Sequence, residues 1–354
     1  MLMVILGAGA SFDLSAEYLP HRDMSGGGER AGCRPPLTDD LFRGRFREIR
    51  ALFPEMDPIV PKLLKSVEQG LGEFEAQGHN PERIRQLMAV RHYVPRVIGA
   101  CEERWVAEKG RATNHLGLLD AVIDWCLKNR ERVCFVTFNY DTLIERAFGD
   151  SQLRMRMEKL DDYIKDDTYK LIKPHGSITW CRPLKRPVVS TGGTPEEIVR
   201  EVIGRAGEGV DYGDLLVAKR DAIGKIGASG PVVVPGIAIP VQEKPGERFE
   251  CPPDHVEALR NCIPLVSKMM LIGWAGKEDN VLGMLRNLPL DVIGVVVGAD
   301  EADAGRTIEW LKEKGLPQCF EPSAARGFSE FIGSRGAERF LSQGKRGGSG
   351  MPSV

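Results

Sequence analysis

The residues of this chain best suited to chemistry stand just past short apolar runs. Asn139 and Asp141 lie in Thr137-Phe138-Asn139-Tyr140-Asp141, directly after Val133-Cys134-Phe135-Val136. His175 lies in Pro174-His175-Gly176-Ser177, directly after Lys170-Leu171-Ile172-Lys173. A buried strand that ends in an amide, a carboxylate or an imidazole is informative, because buried polar groups must find partners. An imidazole changes protonation near neutral pH and can serve as a general base. Taken singly, each residue also has a plainer use. Asn139 could form an Asx turn or cap the next helix, and His175 could be a satisfied structural histidine.

A third loop, Gly7-Ala8-Gly9-Ala10-Ser11, follows the apolar run Met1–Leu6. A strand, a Gly-rich turn and a helix together form a phosphate site: glycines let the backbone approach the anion, and free N–H groups at the helix start face it. A lone G-x-G is a weak signal, and a tight turn explains it equally well. The hydride-transfer fingerprint is missing. Its third small residue, three places after the second Gly, is Phe12 here. Its acidic residue about 20 positions later is replaced by the Gly-rich stretch Met24–Pro36, which reads as a mobile loop. Ligands of open α/β sheets bind at the carboxyl ends of strands, so the three loops are expected to converge there.

The elements that must position these loops can be read from periodicity. Val232–Val234, Met269–Ile272 and Val292–Val297 read as further buried strands. Helical patterns cover Asn114–Asn129 (with Asn114 as cap), Leu143–Phe148, His255–Lys268, Asn280–Arg286 and Ala302–Lys314. Strands alternating with helices predict an α/β fold, a Rossmann-like doubly wound parallel sheet. Residues 38–109 carry only helical spacings, such as Leu41/Phe42/Phe46 and Ile84/Leu87/Met88, with Thr38 as a plausible N-cap. They predict an inserted helical subdomain. The expected organisation is 1–37 with 110–335 as a discontinuous Rossmann domain, 38–109 as the helical insertion, 182–230 as a flap or second insertion around a helix at Glu196–Ile203, and 343–354 as a disordered tail.

Bulk properties narrow the class. The chain has 354 residues, 42% hydrophobic and 28% charged, with a net charge of −2. That is ordinary globular material with no basic surplus pointing to nucleic acid or anionic membrane. The eight cysteines include no C-x-x-C pair, so no zinc-ribbon spacing is present. They read as buried thiols of a reducing, cytoplasmic setting. No apolar run is long enough for a membrane span, and Met1–Leu6 lacks the basic flank and length of a signal peptide.

In order along the chain, these pieces resemble the sirtuin family. Gly7-Ala8-Gly9-Ala10-Ser11 resembles its opening GAG-x-S, Thr137-Phe138-Asn139-Tyr140-Asp141 its T-x-N-x-D, and Pro174-His175-Gly176 its HG dipeptide. Gly273-Trp274-Ala275 stands where the family has a late G-x-S loop, with Ala275 at the serine position. The four-cysteine zinc module and the P-D-F-R signature are missing. In these respects the chain is similar to the zinc-free, sirtuin-like NADases of bacterial anti-phage defence.

The resemblance implies hydrolysis of NAD+ to nicotinamide and ADP-ribose, with NAD as substrate and no metal, in the setting of abortive infection. It implies catalytic roles for Asn139, His175 and Asp141. Gly7, Ala8, Gly9, Ala10 and Ser11 would hold the pyrophosphate, and Thr137, Tyr140 and Gly273 would line the pocket. Asp279, Asp300 and Glu301 are weaker candidates for adenosine contacts. It further implies a homo-oligomer and a sensor or activator partner, a HerA-type ATPase or a short Argonaute. The alternatives are an NAD-dependent protein deacylase, a non-catalytic module that senses NAD or ADP-ribose, and a plain structural subunit.

Overall fold

A computed structural model describes residues 1–14, 34–76, 80–109, 112–185, 194–218, 232–239, 249–316 and 318–343. In chain order, the first half holds β1 (Leu2–Leu6), α1 (Ala8–Phe12), α2 (Arg47–Arg50), α3 (Val60–Leu63), α4 (Val67–Glu75), α5 (Pro81–Lys109), α6 (Asn114–Asn129), β2 (Val133–Thr137), α7 (Leu143–Asp150), β3 (Tyr169–Ile172) and β4 (Gly176–Pro183). The second half holds α8 (Pro195–Arg205), β5 (Leu216–Val217), β6 (Val233–Ile237), α9 (Pro253–Cys262), β7 (Lys268–Ile272), α10 (Asp279–Leu285), β8 (Ile293–Val297), α11 (Glu301–Glu313), β9 (Cys319–Pro322), α12 (Gly327–Gly333) and α13 (Gly336–Ser342).

The main sheet is six-stranded and parallel throughout, in the order β3-β2-β1-β7-β8-β9. Counted by chain order within this sheet, that is 3-2-1-4-5-6, the doubly wound arrangement whose switch point lies between the first and fourth strands. Here the switch point falls between β1 and β7. Their register pairs Leu6 with Ile272, and Leu6 also pairs with Thr137 of β2, so three strands end level with one another.

Both faces of the sheet are covered, which is why its strands read as continuous apolar runs. Side chains alternate across a strand. Leu2, Val4 and Leu6 pack with α6, α7, α12 and α13 through Leu118, Val122, Phe148, Phe328 and Phe340. Met3 and Ile5 face the other way, onto α9, α10 and α11 through Leu259, Leu282, Ile308 and Leu311.

A second core lies outside the sheet. Residues from the helical stretch, including Phe42, Met56, Leu71, Tyr93 and Val97, pack with Val202 and Ile203 of α8 and with Ile178, Val234 and Ile237 of β4 and β6. The helical stretch, α8 and the small sheet therefore form one body. Within it the Tyr93 hydroxyl donates to the Leu41 carbonyl (2.6 Å), and the Tyr93 ring stacks on Phe42 at 5.2 Å. α5 runs through this body with Pro95 inside it. A mid-helix proline removes one hydrogen bond, a local weakness that packing must offset.

Several expectations need correction. The run Val232–Val234 is not a strand of the parallel sheet: β6 pairs antiparallel with β4 in a separate sheet of order β5-β4-β6. Periodicity cannot tell which sheet an apolar run joins. The helix expected to reach Lys268 ends at Cys262, followed by a 3-10 turn containing Pro264, and Lys268 opens β7. Thr38 starts only a 3-10 turn with no side-chain cap. The cap of α6 is Thr113, whose hydroxyl accepts from the Leu116 N–H. Asn114 instead donates to the Asp13 carbonyl (2.7 Å) and to Ser329 Oγ (2.8 Å), tying the end of α1 to α12. Of the loop expected at Met24–Pro36, residues 24–33 lie outside the described residues, and Arg34, Pro35 and Pro36 are buried. The tail after Gln343, and residues 186–193 and 219–230 of the expected flap, also lie outside them.

Of the three buried histidines that leave a ring nitrogen without a partner among the described residues, two stand out, His92 (Nε2) in α5 and His115 (Nδ1) in α6. Burial holds each imidazole neutral, with its pKa lowered from 6.5 to about 3. Unfolded chain binds these protons from about pH 6.5 downward, so stability is fully present above that value and is lost progressively toward pH 3. The slope is about 1.4 kcal/mol per pH unit for each histidine once the unfolded form is protonated. Chemical denaturation at pH 7.5, 6 and 5 should show this loss, and it should shrink in His92→Gln or His115→Gln.

Candidate functional site

The site begins with a backbone contact at the switch point. The Gly7 N–H donates to the Ile272 carbonyl (3.0 Å), and the Gly9 N–H donates to the Gly273 carbonyl (3.1 Å). A Cβ on Gly7 would overlap the Gly273 carbonyl oxygen, and one on Gly9 would crowd the Gly273 Cα. Gly273 itself has φ +59, and a Cβ there would overlap the Ala10 nitrogen. These three glycines let the loops after β1 and β7 lie backbone against backbone. The Ala10 N–H donates to the Gly7 carbonyl (2.9 Å), and Ala10 is fully buried in the main core. The G-x-G glycines thus meet a packing requirement first, since the N–H groups of Gly7, Gly9 and Ala10 all go to protein carbonyls.

The Asn139 loop locks onto this turn. Asn139 Nδ2 donates to the Gly7 carbonyl (2.8 Å) and to Ser11 Oγ (2.7 Å), and Ser11 Oγ donates to Asp141 Oδ2 (2.5 Å). Asn139, Asp141 and Ser11 are all buried. The backbone N–H of Asn139 donates to Thr137 Oγ1 (3.2 Å), so Thr137 acts by shaping the loop. The Asx turn that is one plainer alternative for Asn139 is made instead by Asp141, whose Oδ1 accepts from the Leu143 N–H at the start of α7 (3.2 Å). That leaves the Asn139 carboxamide facing the glycine turn.

The His175 loop comes from the other side. The Ile178 N–H donates to the Tyr140 carbonyl (2.8 Å), pinning the start of β4 to the Asn139 loop. Gly176, at φ +83, has no room for a side chain against the Gly236 carbonyl. The half-buried His175 ring lies 5.2 Å from the Phe138 ring and 6.3 Å from that of Tyr140. Tyr140 points into the second core, and burial raises its phenol far above the usual range. The structure therefore brings together Gly7, Gly9, Ser11, Asn139, Asp141, His175 and Gly273 at one end of the sheet. Ala10, Thr137 and Tyr140 support that end from within. Ala8 is half-buried in the first turn of α1. Asp300 is taken up as the cap of α11 (2.8 Å to the Asp303 N–H), and Asp279 pairs with Lys314 (3.0 Å).

Sequence reading passed over several residues of this neighbourhood. Trp274 stacks on Phe138 at 5.5 Å with planes 10° apart, extending the row to His175, and its Nε1 donates to Glu278 (2.5 Å). A tryptophan directly after the strand-ending Gly273 was an available signal. Glu102 of α5, buried in the helical body, accepts from the Thr142 N–H (2.5 Å) and the Thr142 hydroxyl (2.8 Å), and pairs with Arg146 (3.3 Å). No spacing could reveal that, since the partners lie 40 residues apart. Lys173 and Glu145 form an ion pair (2.8 Å) behind the two polar loops. Burial raises the Glu145 carboxyl, with Lys173 opposing the shift.

The family model described as a SIR2-like domain matches residues 133–198, which hold β2, the Asn139 loop, α7, β3 and the His175 loop. Over that stretch the chain is similar to a SIR2-like domain. No curated protein matches it. A SIR2-like domain supports an NAD-related function and NAD-dependent enzymatic activity. Among the described residues, no group of three or more His, Cys, Asp or Glu could hold a metal ion, and no helix is long and apolar enough to cross a membrane.

The glycine contact can be tested directly. Gly273→Ala should lower stability by more than ~2 kcal/mol, because it combines a positive φ with a backbone overlap. Gly283→Ala, at an exposed site of α10 with open space around it, should be neutral or stabilising by about 0.5–1 kcal/mol. Denaturant melts of both variants check the contrast. Equal effects would mean that the contact at the switch point carries no special constraint.

Proposed function

We propose that this chain hydrolyses NAD+ at the bond between nicotinamide and ribose, releasing nicotinamide and ADP-ribose. The observation that carries the reading is the convergence of the Gly7, Asn139 and His175 loops at the switch point of a 3-2-1-4-5-6 sheet. Dinucleotides bind such crevices outside the strand ends. The SIR2-like match over β2 to β4 supports the assignment of the Asn and His loops.

The chemistry follows from the leaving group. Nicotinamide departs with the electron pair of the C1′–N bond, and positive charge develops on the ribose. The site must hold the ribose, stabilise that charge and supply water to one face. Asn139 holds the nicotinamide ribose and positions the water. His175 accepts a proton near the ribose hydroxyls as water adds to C1′. Asp141 orients the nicotinamide end and, through Ser11, the Asn139 carboxamide. The turn Gly7, Ala8, Gly9, Ala10, Ser11 flanks the pyrophosphate, and Gly273 and Trp274 wall the crevice opposite.

An enzyme that destroys NAD needs control. We therefore join to this reading the anti-phage role, the homo-oligomer and the sensor or activator partner that the sequence resemblance implies, a HerA-type ATPase or a short Argonaute. The test is nicotinamide release from NAD+ by wild type, Asn139→Ala and His175→Ala, alone and with the protein encoded next to it. Wild type should turn over, and each variant should lose at least about 100-fold in rate. NAD binding without release under any condition would replace the hydrolase with a sensing module. Release only alongside transfer of an acyl group from a peptide would replace it with a deacylase.

A further inference from the structure

We infer that Lys173 is a positioning residue that holds the Asn139 and His175 loops in register with each other. This rests on the proposed assignment of those two loops. Lys173 lies two residues before His175, at the end of β3. Its side chain is wholly buried (0% exposed), and a buried ammonium needs strong partners. It finds two, both on the neighbouring strand's continuation. Nζ donates to the Asp141 backbone carbonyl, two residues past Asn139, and to Glu145 Oε1 on α7 at 2.8 Å. One cation therefore ties the chain just before the histidine to the chain just after the asparagine.

The surroundings support the tie rather than a proton-transfer use. Glu145 Oε1 also accepts from Tyr163 (3.3 Å) and Ser177 (3.4 Å), and Trp180 Nε1 donates to the Tyr163 hydroxyl (3.2 Å). The second carboxylate oxygen, Oε2, is buried without a partner. Burying an ion pair in this way is costly compared with an apolar pair of the same shape, so stability alone is a poor reason for having it. What an apolar pair could not do is hold the Asp141 carbonyl. The tie fixes the distance between Asn139 and His175 across the crevice, and catalysis between two such groups is sensitive to displacements of about 1 Å.

The test uses the full chain with Lys173→Met and with the double variant Lys173→Met/Glu145→Gln. The single variant strands a buried carboxylate and is expected to be unstable. The double variant removes that charge and should regain stability while still lacking the anchor on Asp141. In it, kcat for nicotinamide release should remain down by roughly 100-fold, with KM for NAD+ within about twofold, the signature of lost transition-state alignment. Hydrogen exchange, read without substrate, should be faster in both 139–142 and 175–178. Recovery of kcat together with stability, or exchange that rises in neither loop, overturns the proposal. If wild type turns over and the double variant matches it, only the role of Lys173 fails. If wild type releases no nicotinamide under any condition, the reading of the site fails and this role fails with it.

Discussion

Everything at the carboxyl end of the sheet depends on two loops lying closer than side chains allow. The turn after β1 and the turn after β7 meet through Gly7, Gly9 and Gly273, with main chain against main chain. Because the Gly7 carbonyl is held there, it can accept from Asn139. Because α1 starts there, Ser11 can bridge Asn139 and Asp141. The crevice of a doubly wound sheet forms wherever the strand order reverses, but its shape here is set by this contact.

Much of that was legible in the sequence, and for a physical reason. Strands of four or five residues buried on both faces leave continuous apolar runs, so β1, β2, β3, β7 and β8 could be placed, and the polar residues that ended them stood out. What was not legible is what depends on long-range partners. β6 looks like any other Val-rich run until β4 pairs with it from across the chain. β9 has a mostly exposed edge pattern and gave no apolar run to find. At the site, Asn139, Asp141 and His175 announced themselves by type and place. Glu102 did not, because a glutamate in a helix is usually solvent-facing and only the fold brings Thr142 to it. Lys173 stands at the end of a buried run, yet a lysine there reads as the polar end of a strand.

The second core changes how the helical region is to be understood. It packs on β4 and β6, which frame the His175 loop, and it encloses the Tyr140 ring from the Asn139 loop. α5 also reaches the start of α7 through Glu102, with Trp105 against Leu143. On the surface, Lys277, just past the Gly273 turn, pairs with Glu68 of α4 (3.2 Å). The helical body thus contacts the Asn139 loop, the His175 loop and the segment after Gly273 rather than sitting beside the sheet as an appendage, and a load on its outer face has short routes to each of them.

The inward commitment of Asn139 has a consequence for affinity. Both protons of its carboxamide are already spent on Gly7 and Ser11. Any ligand that needs either one must wait for conformers in which that bond is open, and its apparent affinity is the intrinsic one scaled by their fraction. Every tenfold scarcity of open conformers costs about 1.4 kcal/mol of binding. The side chain therefore sets a threshold. Loosening the grip of two neighbours would strengthen binding without adding a single contact to the bound molecule.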